Sequence, residues 1–145
     1  MLPQVEADAL LRVPKHRVDD RHWLLPSTGG GLTIPLRSEN GKESFLLDVA
    51  RGRYRLTKLK FQTRAKTNIV LVRIDIGGMR HTNPDGERIP APHIHLYREG
   101  FGDRWAHPLP LDQFPDPEDH WKTLQSFFDY CQITQAPYFE KGLFA

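Results

Sequence analysis

From Leu32 to Ile76 the chain places apolar side chains at every second position and interrupts them with short turn signals. Period-two alternation sends successive side chains to opposite faces of an extended strand, so this stretch predicts a sheet with one buried face. Leu32 to Arg37 is the first strand, with Leu32, Ile34 and Leu36 inward. Pro35 lacks an amide donor and pushes that strand toward a sheet edge or a bulge. Asn40-Gly41 is a hairpin signal, Glu43 to Val49 the second strand, and Arg51-Gly52 the next tight connection. In the third strand, Arg53 to Gln62, Tyr54 and Leu56 share one parity while Leu59 and Phe61 share the other. A bulge near Thr57-Lys58 reconciles them and leaves Arg53, Arg55, Lys58, Lys60 and Gln62 outward. After a turn over Thr63 to Thr67, Asn68 to Ile76 carries Val70, Val72, Ile74 and Ile76 inward, with Ile69, Leu71 and Arg73 on the reverse. That half-apolar reverse face predicts a central strand covered in part by a helix. The four strands read as an antiparallel meander ended by Gly77-Gly78.

Helical signals flank this sheet. Pro3 to Arg12 carries Val5, Ala9, Leu10 and Leu11, with Glu6 and Asp8 suited to the first turns, and Pro14 ends it. Near the other end, Asp116 is an N-cap candidate, Pro117 fits the first helical position and Asp119 a capping-box acid. Trp121, Leu124, Phe127, Phe128 and Cys131 then recur at helical spacing and predict a packing helix. The expectation is one α+β domain over residues 1–145, with a mainly antiparallel sheet of about five or six strands. Lys15-His16-Arg17 reads as a solvated connector, and Ala136 to Phe139 with Leu143 and Phe144 as an apolar tail. No apolar run approaches the roughly 20 residues that span a bilayer, so no membrane partner is expected. With Glu6 and Asp8 where a secretory leader needs basic and apolar residues, a cytoplasmic location is expected. The lone Cys131 excludes an intrachain disulfide and a cysteine-based zinc cluster.

The chemistry concentrates in Pro92 to Gly100. Read as a strand, Ile94 and Leu96 face a core, while His93, His95, Tyr97 and Glu99 share the opposite face. A long loop, Met79 to Ala91, precedes it and carries Arg80, His81 and Asn83-Pro84. Gly100-Phe101-Gly102 follows as a turn. Asp103 to Leu109 is expected to pair back on the histidine strand, bringing Trp105 and His107 near it on one face.

Charge is distributed unevenly. Arg51, Arg53, Arg55, Lys58, Lys60, Arg64, Lys66 and Arg73 follow one another with no acidic residue between them. Such a run meets a polyanion or an acidic protein. Two chemistries fit the histidines. Bound to zinc, His93 and His95 supply two imidazoles and His81 or His107 a third. Without metal, they act as general acid and base on RNA, whose 2′-hydroxyl is an internal nucleophile, with cations around the phosphate. The adopted reading is the second: His93, His95, His81 and Tyr97 as candidate catalytic groups, no metal ligand and no cofactor. Arg53, Arg55, Lys58, Lys60, Arg64, Arg80, Arg98 and Trp105 are the candidate nucleic-acid contacts. Lysine and arginine contact phosphates without reading sequence, and exposed aromatics stack on unpaired bases.

Arg80-His81-x-Asn83-Pro84, Pro92-His93-Ile94-His95-Leu96-Tyr97-x-Glu99-Gly100 and Trp105-Ala106-x-Pro108-Leu109 resemble a family of small, functionally uncharacterised bacterial and phage-associated proteins. Asn83-Pro84 with Pro92-His93-Ile94-His95 is more loosely similar to small proteins grouped with toxin–antitoxin modules, whose Asn-Pro and Pro-His are contiguous. The resemblance implies a role in a toxin–antitoxin or phage-conflict module. Joined to the histidine face and the Arg51–Arg73 basic run, it sets the expectation of an RNA-directed protein of such a module, in its sharpest form a metal-independent endoribonuclease, with a cognate antitoxin or host protein as partner. The alternative is a non-catalytic binding protein: an antitoxin, or a phage-encoded inhibitor of a nucleic-acid-handling enzyme such as an anti-CRISPR.

Overall fold

Alternation sets up the ladder, and the order of the strands decides which polar residues meet. The computed structural model describes residues 1–54 and 58–141. The chain opens with α1 (Gln4–Arg12), passes through β1 (Lys15–Arg17) and β2 (His22–Leu24), and enters the meander of β3 (Gly31–Ser38), β4 (Ser44–Arg51), β5 (Leu59–Ala65) and β6 (Ile69–Asp75). A short hairpin of β7 (His81–Thr82) and β8 (Arg88–Ile89) leads into β9 (His93–Leu96) and β10 (Ala106–Pro108). Then come α2 (His120–Tyr130), β11 (Ile133–Gln135) and β12 (Tyr138–Glu140).

The main sheet has eight strands in the order β10-β9-β6-β5-β4-β3-β1-β11. It is larger than the five or six strands expected, and mixed, because β1 and β11 pair in parallel. Of its strands, β1 and β11 were not expected, and each spans three residues, too few to display alternation; β10 pairs with β9 as expected. The apolar tail folds back: β11 extends the sheet and β12 pairs in parallel with β2. Leu143 and Phe144 lie outside the described residues, as do Arg55, Leu56 and Thr57, where the bulge was expected. The shift that is present falls between Thr63 and Arg64, against β6. The strand therefore runs on to Ala65, and the turn spans residues 66–68, with Lys66 and Thr67 at positive φ. Pro35 sits in an interior strand, not at an edge. The β1 register stops at Leu36, one residue short of the missing donor.

One face of the sheet is the core. Ile34, Leu47, Val49, Phe61, Val72, Ile74 and Ile94 are all buried and lie in register across five strands. Both helices pack on this face: Ala7 and Leu10 of α1 join the same cluster, and Phe127 of α2 meets Phe61 with ring centroids 5.8 Å apart. Burying a side chain such as Phe61 contributes about 1.5–3 kcal/mol. Asp119, not Asp116, caps α2, accepting from Lys122 N at 3.0 Å. The cap of α1 comes from far away: Glu99 Oε1 accepts from Gln4 N at 2.6 Å, and Gln4 Oε1 accepts from Glu99 N.

Lys15 corrects the reading of its segment as solvated. It is fully buried, and its Nζ donates to the carbonyls of Leu11, Val13 and Cys131 at 2.8–3.0 Å. A cation at the ends of both helices satisfies carbonyls that have no intrahelical partner. Burial lowers the ammonium to about 8, against the raising influence of Cys131, and pushes the Cys131 thiol up to about 12. That thiol is a core group, not a nucleophile. Among the described residues no helix is long and apolar enough to cross a membrane.

Candidate functional site

The reverse face of the sheet is polar, and no helix of the described residues lies on it. Its side chains follow from the register. Thr33 stands opposite Asp48, Asp48 opposite Gln62, and Gln62 opposite Arg73. Lys60 stands opposite Asp75, Asp75 opposite His93, and Arg73 opposite His95. The helix expected over the reverse of β6 is absent. That edge is covered instead by the β7–β8 hairpin, which emerges from the loop expected to be irregular.

Asn83 seats the hairpin. Its Nδ2 donates to the Ala106 carbonyl at 2.9 Å, and its Oδ1 accepts from Ala106 N at 2.8 Å, so one amide side chain takes the place of a further strand beside β10. The His81 ring consequently sits 4.5 Å from His95 and 6.1 Å from His93, centroid to centroid. His93 and His95 are 4.9 Å apart by the same measure. The expected convergence of His81, His93 and His95 is therefore present, with Ile94 buried on the opposite face. Tyr97 is not part of it. The strand ends at Leu96, and the Tyr97 hydroxyl donates to the Leu2 carbonyl at 2.6 Å beside α1. His107 pairs opposite Ile94 and is exposed, whereas Ala106 stands opposite His95.

Asp75 and Arg73 complete the cluster, and sequence reasoning had placed neither there. Asp75 Oδ2 lies 3.2 Å from His93 Nε2, 3.1 Å from His95 Nε2 and 3.1 Å from Arg73 Nε. The Arg73 guanidinium also donates to Asp103 Oδ2 at 3.1 Å and lies 2.9 Å from His95 Nε2. His95 Nδ1 is 2.8 Å from the Asp103 carbonyl, which can only accept, so that nitrogen carries a hydrogen. In the neutral ring Nε2 then accepts from Arg73; in the imidazolium it donates to Asp75 and Arg73 must turn aside. His93 donates to Asp75 through Nε2, and its buried Nδ1 has no partner among the described residues. Burial alone would raise the Asp75 carboxyl. The hydrogen bond from His93, that from His95 when its ring is an imidazolium, and the charge of Arg73 outweigh it and hold the group well below the usual carboxylate range. Asp75, His93 and His95 also present ligand atoms within 4.8 Å of one another, the one such group of the described residues suited to a metal ion.

Access is uneven. His93 is 3 % and His95 0 % exposed, whereas Asp75 and Arg73 are half-buried and line a depression of about 300 Å³ with Arg51, Lys58 and Lys60. Lys60 is shared with a second depression of about 400 Å³, which runs over Asp48, Gln62 and Arg64. Lys58 is shared with a third of about 430 Å³ lined by Arg53, Tyr54, Gly78 and Met79. The three form a track across the polar face. Along it, Arg53, Lys58 and Lys60 form no hydrogen bond or ion pair with any described residue through their side chains, and Tyr54 is 90 % exposed. Arg64 is engaged: Asp48 takes its Nε at 2.6 Å and its Nη2 at 2.8 Å, and Thr67 O accepts from Nη1. Burial pushes the Asp48 carboxyl up, but the bonds from Arg64, Gln62 and Thr33 bring it below its ordinary value.

The remaining predicted contacts lie apart from the track. Arg98 stacks 4.4 Å from the Trp105 ring, which meets Phe101 edge-on. Arg80 is exposed at the entry to the hairpin. Arg55 is outside the described residues.

No curated protein and no solved structure matches this chain. Residues 2–133 do match a family whose function is unknown, and they span most of the sequence, including the helix, the meander and the histidine strand. The protein belongs to that family of unknown function, DUF6978.

Proposed function

We propose that the protein binds single-stranded nucleic acid, RNA in the first instance, along the track on the polar face of its sheet. The observation that carries this reading is the row of unpaired Arg53, Lys58 and Lys60 ending at the exposed ring of Tyr54. Cations that touch no carboxylate are free to neutralise phosphates, and an aromatic face at the end of the row gives an unpaired base a place to stack. The acids of the same face do not cancel this charge, because Asp48 is held by Arg64 and Asp75 by Arg73 and the histidines. An acidic partner protein, such as a neutralising antitoxin, would compete for the same surface.

Cleavage is the second reading, favoured by the histidine cluster standing beside the track with Asp75 at the boundary. It asks more of the geometry. A general acid or base must come within hydrogen-bond reach of the phosphodiester. The two buried imidazoles meet that demand only if the β7–β8 hairpin lifts.

Fluorescence anisotropy with a labelled single-stranded RNA across a salt series tests the binding reading. Each phosphate contact on a single strand contributes about 0.7 to the slope of log K against log salt. Replacing Lys58 and Lys60 together by alanine is expected to lower that slope by about 1.4. A wild-type protein that fails to bind at low salt, or a slope untouched by the double substitution, refutes the proposal. Electrophoresis of the same RNA after incubation, with His93→Ala and His95→Ala as controls, reads cleavage separately.

A further inference from the structure

We propose that Asp75, His93 and His95 form a binding site for a divalent transition-metal ion, in which the guanidinium of Arg73 occupies the cation's place until an ion displaces it. The spacing is the first argument. Zinc bound to nitrogen and carboxylate oxygen at about 2.0–2.1 Å in a tetrahedron sets its ligand atoms about 3.3 Å apart. The Asp75 Oδ2 to histidine Nε2 separations are 3.2 and 3.1 Å. Two ligands sit two residues apart on β9 and the third directly opposite on β6, so the hydrogen-bonded ladder, not a loop, fixes their positions.

The second argument is orientation. Metal-bound histidines donate their other ring nitrogen to a carbonyl or carboxylate, which aims the ligating lone pair. His95 has this arrangement through the Asp103 carbonyl. The Arg73 guanidinium lies 2.9 Å from the same Nε2 and 3.1 Å from Asp75 Oδ2, the two atoms an ion would take. It has somewhere to go, because Asp103 Oδ2 already accepts from it at 3.1 Å. The depression lined by Asp75, Lys58 and Lys60 supplies an entry path and an open side. Two imidazoles and one carboxylate suit zinc, cobalt, nickel or ferrous iron and disfavour magnesium or calcium. The argument for the site does not rest on the nucleic-acid reading.

Titration of the purified protein with Co²⁺, followed by its visible absorption and by displacement with Zn²⁺, tests the site. One ion per chain is expected. Asp75→Asn, which keeps the side chain's shape, is expected to abolish the signal while leaving a cooperative unfolding transition. Arg73→Met removes the competing cation and is expected to tighten binding about tenfold, within the range that neighbouring groups exert on metal affinity. A wild-type chain that takes up no more Co²⁺ than Asp75→Asn overturns the proposal, whatever Arg73→Met does. Equal uptake by both would place the ion on surface histidines such as His22 and overturn it equally.

Discussion

Asn83→Ala is the sharpest test of how the histidine cluster is held. The amide closes both hydrogen bonds of the outer edge of Ala106, at 2.9 and 2.8 Å, where Asn83 is 5 % and Ala106 1 % exposed. Alanine at this position leaves a buried N–H and a buried C=O without partners. An orphaned buried polar group costs about 1–3 kcal/mol, so the pair sets a loss of about 2–6 kcal/mol. For a chain of this size that corresponds to a fall in Tm of about 6–18 °C. Urea unfolding is the assay, because a shift in midpoint at constant slope isolates stability from a change in compactness. Amide exchange supplies the local reading: the Ala106 N–H loses protection while Phe61 and Ile74 keep theirs relative to global opening. His81 lies two residues from Asn83, so its ring is expected to leave His95 in the same variant. A loss below about 1 kcal/mol, with Ala106 still protected, refutes the reasoning, since water would then replace the amide at no cost.

Three further outcomes follow from named groups. Glu99→Ala removes the distant cap of α1 and is expected to cost about 1 kcal/mol, with faster exchange confined to the amides of Gln4 to Ala7. Asp75 has its carboxyl held low in the fold, so it contributes stability above the unfolded value near 4 that is lost as pH falls; Asp75→Asn is expected to flatten the acid limb, and an unchanged limb refutes this. Lys15 is lowered from 10.5 to about 8, so the unfolded chain holds that proton more tightly and stability rises with pH above about 8. Cys131 is raised from 9.0 to about 12 and opposes the rise from pH 9 upward, leaving a gain of at most about 1.4 kcal/mol between pH 8 and 9 that Cys131→Ala extends. Unfolding free energies that fall through that window in both proteins contradict the assignment.

The histidine face was legible because alternation is local: Ile94 had to go inward, which sent His93 and His95 the other way. Their partners were not. Asp75 and Arg73 reach them through the antiparallel register of β6 against β9, which a hairpin separates in sequence. One signal was available. Arg73-Ile74-Asp75 flanks an inward isoleucine as His93-Ile94-His95 does, and two such strands side by side pair their polar positions. Tyr97 was misplaced because parity was carried past the strand's last residue. There the chain turns into the bridge between Arg98 and Gly102. Lys15 was misread because its charge outweighed its context, although a strand beginning just after a helix can send such a side chain back to the helix's carbonyls. Asp116 and Asp119 both fit a cap. The tie was broken by a turn after Asp116, in which Asp119 N donates to its carbonyl.

Arg73 connects the two proposals, and the connection has a sign. A buried charge network seldom raises stability over an apolar replacement of the same volume, so its effect is sought in what it does to neighbouring charges. Asp75 stands between Lys60 on one strand and His93 on the other. Among the described residues, its hydrogen bonds and ion pairs all run to Arg73 and the histidines, and Lys60 is left without a counter-ion. Remove the guanidinium and Asp75 becomes free to draw Lys60 toward itself, which takes a cation out of the track and opens the lone pair of His95 to an ion. Arg73→Met should therefore weaken RNA binding in the absence of metal while it tightens Co²⁺. A metal ion added to that variant should then restore RNA affinity, because a divalent cation on Asp75 releases Lys60 and adds positive charge at the edge of the track. Loss of RNA affinity that metal cannot restore would mean that Arg73 itself touches the phosphate and that the two sites share a face but no charge balance.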